Sequence, residues 1–318
     1  IDIGLRQDVR IKRVKIDAKK AYLKALELNC AIYHIHDPEL VKIANKLHNL
    51  GKKVIYDVHE DLPRQIYGKP YLGSLVKPIV SKTIEFFENY YAKKMDYIVA
   101  ATPFIRKRFQ EVNANVIDVN NFPLIKENIH PINFQDKDDV ISYVGGIFEN
   151  RGVYELIESL KYSKVELRLA GEFESEDFKK KCEESEGWQY VKYYGFVSRE
   201  KVAEILNQSK IGIVSLYPLR NYLDSLPIKM FEYMLAGIPV IASDFPYWKK
   251  IVEEVQCGVN VNPKDAKAIA DKVLYLLQNP DLANTMGENG RKAVLEKYNW
   301  CNEEKKLLKI YEELQEVN

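Results

Sequence analysis

Short apolar runs recur along the chain, each followed by a polar turn and an amphipathic stretch with a 3.6-residue period. This alternation constrains the fold more than any other feature, because strand, crossover helix and strand pack as a parallel βαβ unit of fixed hand. In the first part, 31–36 reads as a strand, 38–50 as a helix closed by Gly51, and 53–58 as the next strand. A lead at 1–15 reads as an edge strand, 17–28 and 72–94 as helices, and 96–101 and 115–119 as further strands. Thr102 and Pro103 spell a helix entrance, an N-cap followed by a first-turn proline. From residue 140 the runs at 140–144, 165–170, 190–194, 211–215, 238–243 and 258–261 repeat the pattern, and from 265 the chain is helical to its end. The pattern predicts an α/β fold of two doubly wound, Rossmann-like domains with ligands at the carboxyl ends of their strands.

At 318 residues the chain exceeds one ordinary core, so two domains are expected. The polar, proline-punctuated stretch 124–138 reads as their linker, leaving 1–123 and 139–301 as domains and 302–318 as a closing helix. Asp136-Lys137-Asp138 spells the Asp-x-Asp of metal-dependent transferases, but away from a strand end it reads as solvated linker. Lys and Arg number 47 against 46 Asp and Glu, which gives no general pull toward nucleic acid. The excess is local: residues 1–135 hold 22 basic against 15 acidic side chains, which fits an anionic ligand or membrane surface on that side. Within 72–94, Phe86, Phe87, Tyr90 and Tyr91 interleave with Lys77, Lys82, Lys93 and Lys94. Most of these aromatics are expected in the core with a basic solvated edge, and the functional reading of the stretch is a peripheral contact with an anionic bilayer. Cys30, Cys182, Cys257 and Cys301 form no Cys-x-x-Cys pair, which fits a reducing cytoplasm, and no apolar run is long enough to span a membrane.

The stretch 221–241 joins a polar loop, a helix entrance and an apolar strand. Leu226-Pro227 marks the helix start, with proline in the first turn, and Gly237 its end. The amides around Ser225 and Leu226 offer orphan donors to phosphate, Lys229 adds a positive charge, and Glu232, one turn on, can accept from a pair of hydroxyls. Asp224 stands just before. The plain alternative is a helix-entry acid and a surface Lys–Glu pair. A second glycine turn, Gly145-Gly146, follows the strand at 140–144, with Arg151 leading into the next helix. His34-x-His36-Asp37-Pro38 and Asp57-x-His59-Glu60-Asp61 end two strands of the first domain. A His-x-His beside carboxylates suggests a metal, but strand-end histidines are commonly loop residues, and no metal is expected.

The acidic pair Asp224 and Glu232, eight positions apart, together with the glycine turn and the histidine loops, resembles the GT-B nucleotide-sugar glycosyltransferases, family 4 in particular. The resemblance runs from the His-Asp-Pro-Glu loop to the C-terminus, with departures. Asp224 stands where the family more often has glutamate, and Gly146 where it has arginine, while Arg151 takes the place of its lysine. The first domain falls short by about one βαβ unit, so a longer natural N-terminus is expected. The resemblance implies a retaining, metal-independent transfer of a hexose from a UDP- or GDP-sugar to a saccharide or lipid-linked acceptor in bacterial polysaccharide or glycolipid synthesis. Gly145, Gly146, Arg151, Gly171, Phe196, Val197, Ser225, Leu226, Lys229 and Glu232 would hold the donor. His59, Arg151, Lys229 and Asp224 would act on the transferring sugar and its leaving diphosphate. No cofactor is implied, since the nucleotide-sugar is consumed, and the expected place is the cytoplasm or the inner membrane face. An epimerase or phosphorylase on the same fold, or a binding module without turnover, are the alternatives.

Overall fold

The computed structural model describes residues 16–69, 72–125 and 132–316 and divides into two compact units, 1–120 with 303–318 and 121–302. The lead at 1–15, read above as an edge strand, lies outside the described residues.

In the first unit α1 (Ala18–Leu28), β1 (Ile32–Ile35), α2 (Val41–Asn49), β2 (Lys53–Val58), α3 (Val76–Ala92), β3 (Tyr97–Ala100), α4 (Pro103–Gln110) and β4 (Val116–Asp118) follow in turn. The four strands are parallel in the order β1-β2-β3-β4. Strand side chains alternate between faces. Val54, Tyr56, Val58, Ile98 and Ala100 meet α2 and α4 on one side, while Ile55 and Val99 meet Ile310 and Leu314 of the last helix, α12 (Trp300–Glu316), on the other. A parallel sheet needs both faces covered, and the chain's end supplies the second cover. Thr102 caps α4 as expected, its hydroxyl accepting from the Ile105 amide.

Of the α3 aromatics only Tyr91 packs against the core, while Phe86, Phe87 and Tyr90 are exposed. Only Ser81, Glu88 and Ala92 of this helix are buried, and Phe86 and Phe87 remain 67% and 55% exposed. Beside Tyr91 and Ala92 its docking is polar: Tyr56 Oη donates to Glu88 at 2.9 Å, and Glu88 pairs with Arg108 of α4. A buried carboxylate must be paired, so this network fixes which face of α3 turns inward.

In the second unit β5 (Asp138–Val144), α5 (Val153–Ser163), β6 (Leu167–Ala170), α6 (Glu176–Glu183), β7 (Val191–Gly195), α7 (Arg199–Gln208) and β8 (Ser209–Val214) alternate. They are followed by α8 (Ile228–Leu235), β9 (Val240–Ser243), α9 (Pro246–Val255), β10 (Gly258–Val261), α10 (Ala266–Gln278) and α11 (Pro280–Glu296). The six parallel strands run β10-β9-β8-β5-β6-β7, the doubly wound order. One face packs on α7, α8 and α9 through Leu206, Met230, Phe231 and Trp248, the other on α5 and α10 through Leu156, Leu160, Ile269 and Val273. Of residues 136–138, read above as solvated linker, Asp136 and Asp138 are exposed but Lys137 is not. Lys137 is buried with its ammonium on the Asn207 carbonyl, and Asp138 opens β5 paired with Arg168, because the strand begins two residues before the apolar run. Among the described residues no helix is long and apolar enough to cross a membrane.

Candidate functional site

The strand order of the second sheet reverses between β5 and β8, since β6 and β7 extend one side and β9 and β10 the other. Turns diverge there and leave a crevice at the carboxyl ends of the strands. Its floor is main chain. Gly171, after β6, has φ +143°, and a Cβ there would lie 2.0 Å from the Gly145 carbonyl oxygen. Gly152, at the entrance of α5, has φ +65°, and its Cβ would lie 2.0 Å from Ser215 O, just past β8. Side chains are excluded at both positions by contact as well as by conformation.

Two cations overhang this floor. A Cβ on Gly145 would stand 3.1 Å from Lys229 Nζ and 3.9 Å from Arg151 Nη1, so both groups flank one point above the turn. Lys229 projects from the first turn of α8, its Nζ buried without a hydrogen-bond partner and 3.8 Å over the Tyr143 ring centroid. Burial, then the nearby Arg151 charge, pull its pKa down to about 7, against the opposing pull of Glu232. The Arg151 guanidinium lies over the Phe148 ring, 4.7 Å from its centroid, and donates to Gly146 O at 3.4 Å.

Glu232 is buried one turn beyond Lys229 and accepts from Arg199 Nη2 at 2.8 Å. The pair is thus no solvated surface couple; both members lie inside, and the Glu232 ion pair is with Arg199 at the start of α7. Arg199 was not singled out by sequence. Its signal is modest: Ser198 caps α7 right after the Phe196-Val197 turn, which puts Arg199 in a first helical turn at a strand end. Phe196 is 81% exposed, whereas Val197 packs against the core. Pro227 is the N-cap residue of α8 rather than part of its first turn, one position earlier than the proline rule places it. Ser225 donates its amide to Tyr222 O at 3.1 Å, so that N–H is not held open for phosphate. Asp224 closes the one-turn helix Arg220–Leu223 and is exposed. His59 belongs to the first unit, where its Nε2 lies 3.0 Å from His36 Nδ1.

Residues 125–293 match the model of the glycosyl transferases group 1 family. The capsular polysaccharide biosynthesis glycosyltransferase CapM of Staphylococcus aureus is 28% identical over 195 residues, 58% of this chain and 50% of CapM. The first curated relatives are covered over only 42% to 59% of their length, so the chain spans about half of the proteins it matches. Sucrose-phosphate synthase from Thermosynechococcus elongatus superposes with a TM-score of 0.77 at 16% identity, over 100% of this chain and 83% of the synthase. A point mutant of S. aureus TarM in complex with fondaparinux, α-GlcNAc-glycerol and UDP gives 0.72 at 16%, over 93% of this chain and 59% of TarM. At these identities the superpositions establish the α/β GT-B fold, and the family match over more than half of the 318 residues establishes membership: the chain belongs to the group 1 glycosyl transferases.

Proposed function

We propose that the second unit binds a UDP- or GDP-sugar. The protein then transfers the sugar with retention of configuration, and without a metal ion, to a saccharide or lipid-linked acceptor in surface polysaccharide or glycolipid synthesis. The observation that carries this reading is Lys229. A buried ammonium with no hydrogen-bond partner, beside a second cation and over a glycine floor, costs stability unless an anion with several oxygens completes it. A diphosphate is such an anion. CapM bears a polysaccharide-synthesis name, and the TarM structure holds UDP, which supports the donor and acceptor classes.

As the glycosidic bond breaks, the leaving diphosphate gains charge, and Arg151 and protonated Lys229 stabilise it in a site poor in water. Glu232, positioned by Arg199, accepts from the ribose hydroxyls, the Phe196-Val197 main chain meets the base, and Asp224 holds sugar hydroxyls. A departing phosphate oxygen takes the acceptor's proton on the same face, so no side-chain base is needed. Asp138, the second acid of the Asp-x-Asp sequence, is engaged by Arg168 at the foot of β5, which supports a reaction without that motif's metal. The exposed Leu75, Ile79, Phe86 and Phe87 of the α3 region, with Lys82, Lys93 and Lys94, form an amphipathic surface suited to an anionic bilayer.

Thermal-shift measurements of the full chain with UDP-, GDP- and ADP-sugars test the donor. One of the first two at a hundred times its Kd should stabilise by about 2.7 kcal/mol. Product formed in EDTA with the donor's anomeric configuration would support the rest. No stabilisation by any nucleotide-sugar would overturn the reading.

A further inference from the structure

His34 and His36 share one face of the β1 line by the two-residue strand period. Ile35 pairs with Tyr56, so the next residues on each line, His36 and Asp57, emerge side by side, and His59 follows two residues later. His34 Nε2 lies 3.3 Å from Asp57 Oδ2, His36 Nδ1 lies 3.3 Å from the same oxygen, and His36 Nδ1 lies 3.0 Å from His59 Nε2. His59 Nε2 stands 3.8 Å from Asp57 Oδ1. The ligand atoms of His34, His36 and Asp57 all fall within 4.8 Å of one another. A tetrahedral ion with bonds of about 2.0–2.1 Å needs ligand atoms about 3.3–3.4 Å apart, which these separations already approach.

A second observation is independent of that spacing. His34 Nε2 is buried and makes no hydrogen bond, although Asp57 is close, whereas Nδ1 is bonded to Tyr311 Oη at 2.7 Å. A hydrogen bond on the far nitrogen is how a ligand imidazole is held in orientation, and in the tautomer where Nδ1–H donates to Tyr311 Oη the Nε2 lone pair faces the cluster.

We propose that His34 Nε2, His36 Nδ1 and an Asp57 oxygen bind one divalent transition-metal ion of the zinc class, with a water completing a four-coordinate site. Two imidazoles and one carboxylate favour Zn²⁺ or Co²⁺ over Mg²⁺ or Ca²⁺, which take oxygen ligands. Entry is open, because the His36 and His59 side chains are 55% and 54% exposed beside a cavity of about 270 Å³ lined also by Glu39, Glu60 and Gln65. The ion has no part in the transfer proposed above.

The test is calorimetric titration of the EDTA-dialysed full chain with ZnCl₂, with Co²⁺ visible absorption as a second readout. One saturable equivalent per chain is expected, together with a zinc-dependent rise in Tm and the intense bands of four-coordinate Co²⁺. H36Q and D57N should each weaken binding by at least about tenfold. H48Q should not, since His48 is paired elsewhere, with Asp96 at 3.1 Å. Melting of the metal-free variants confirms that they fold. Absence of saturable binding by the parent chain, or unchanged affinity in both H36Q and D57N, would overturn the proposal.

Discussion

Lys229 Nζ lies 3.8 Å over the centre of the Tyr143 ring, a buried ammonium held by an aromatic face where a carboxylate would ordinarily stand. Cation–π attraction of about 2 kcal/mol offsets only part of the desolvation, which is why the group's pKa falls to about 7. The site is therefore short of negative charge when empty.

This shortage predicts proton uptake on binding. A diphosphate arriving at Lys229 favours the ammonium, so at pH 8 UDP binding should take up a proton, and affinity should weaken as pH rises above about 7. Calorimetry of UDP in buffers of different ionisation enthalpy measures it. Binding heats independent of the buffer would contradict the assignment.

The same burial sets stability against function. Because the folded-state pKa of Lys229 is below its unfolded value of about 10.4, the unfolded chain holds more protons between pH 7 and 10. The penalty is complete below pH 7 and fades as pH rises through that window. K229M should accordingly be more stable than the parent at pH 6, on the order of 1–3 kcal/mol, lose that advantage toward pH 10, and bind UDP poorly. Denaturant unfolding at both pH values checks this. A K229M protein that is less stable at pH 6 would mean the ammonium has a partner in solution.

Two glycines with nearly the same φ separate strain from contact. Gly152 and Gly195 have φ of +65° and +67°, but a Cβ on Gly152 would strike Ser215 O at 2.0 Å, whereas nothing lies within 4 Å of one on Gly195. G195A should cost about 1–2 kcal/mol from the left-handed conformation alone. G152A should cost clearly more and also weaken nucleotide binding, because the crevice floor must shift. Equal losses of Tm for the two variants would refute the tight floor.

Glu232 tests the ribose contact. Loss of a hydrogen bond to a charged acceptor is worth about 1.5–3 kcal/mol, so E232A should lower affinity for UDP by roughly ten- to hundredfold while the chain stays folded. R199A leaves the buried Glu232 carboxylate without this partner, so it should lower the melting temperature as well as weaken the nucleotide. Unchanged affinity in E232A with a large drop in Tm would make the residue structural.

The surface of α3 gives a lipid prediction. Phe86 and Phe87 project beside Lys82, so vesicles rich in anionic lipid should sediment the protein and neutral ones should not, with binding lost in F86S/F87S and reduced by salt. Equal sedimentation with both lipids at low ionic strength would leave a soluble saccharide as the acceptor.

Much of the architecture is legible in the chain itself. Strands such as Lys53–Val58 and Val240–Ser243 announce themselves because neighbours two residues apart report on one face, and helix entrances such as Thr102-Pro103 are local in chemistry. The elements of the proposed donor site, the glycine turn after β5 and the entrance of α8, are legible for the same reason. Where the reading failed, the deciding contacts were distant: α3 looked like a core helix until Glu88 was paired by Tyr56 and Arg108, which turned its phenylalanines outward.

Sequence alone thus determined the alternating α/β pattern, the two-core organisation and which residue types stand at the strand ends. Only the tertiary structure decided that Lys229 is buried without an acceptor, that Glu232 pairs with an arginine 33 positions away, and that His34, His36 and His59 surround one carboxylate. Periodicity is carried by residues adjacent in the chain, whereas desolvation, pairing and ligand geometry depend on strand register and on which elements close over a side chain, and those are settled only when the sheets assemble.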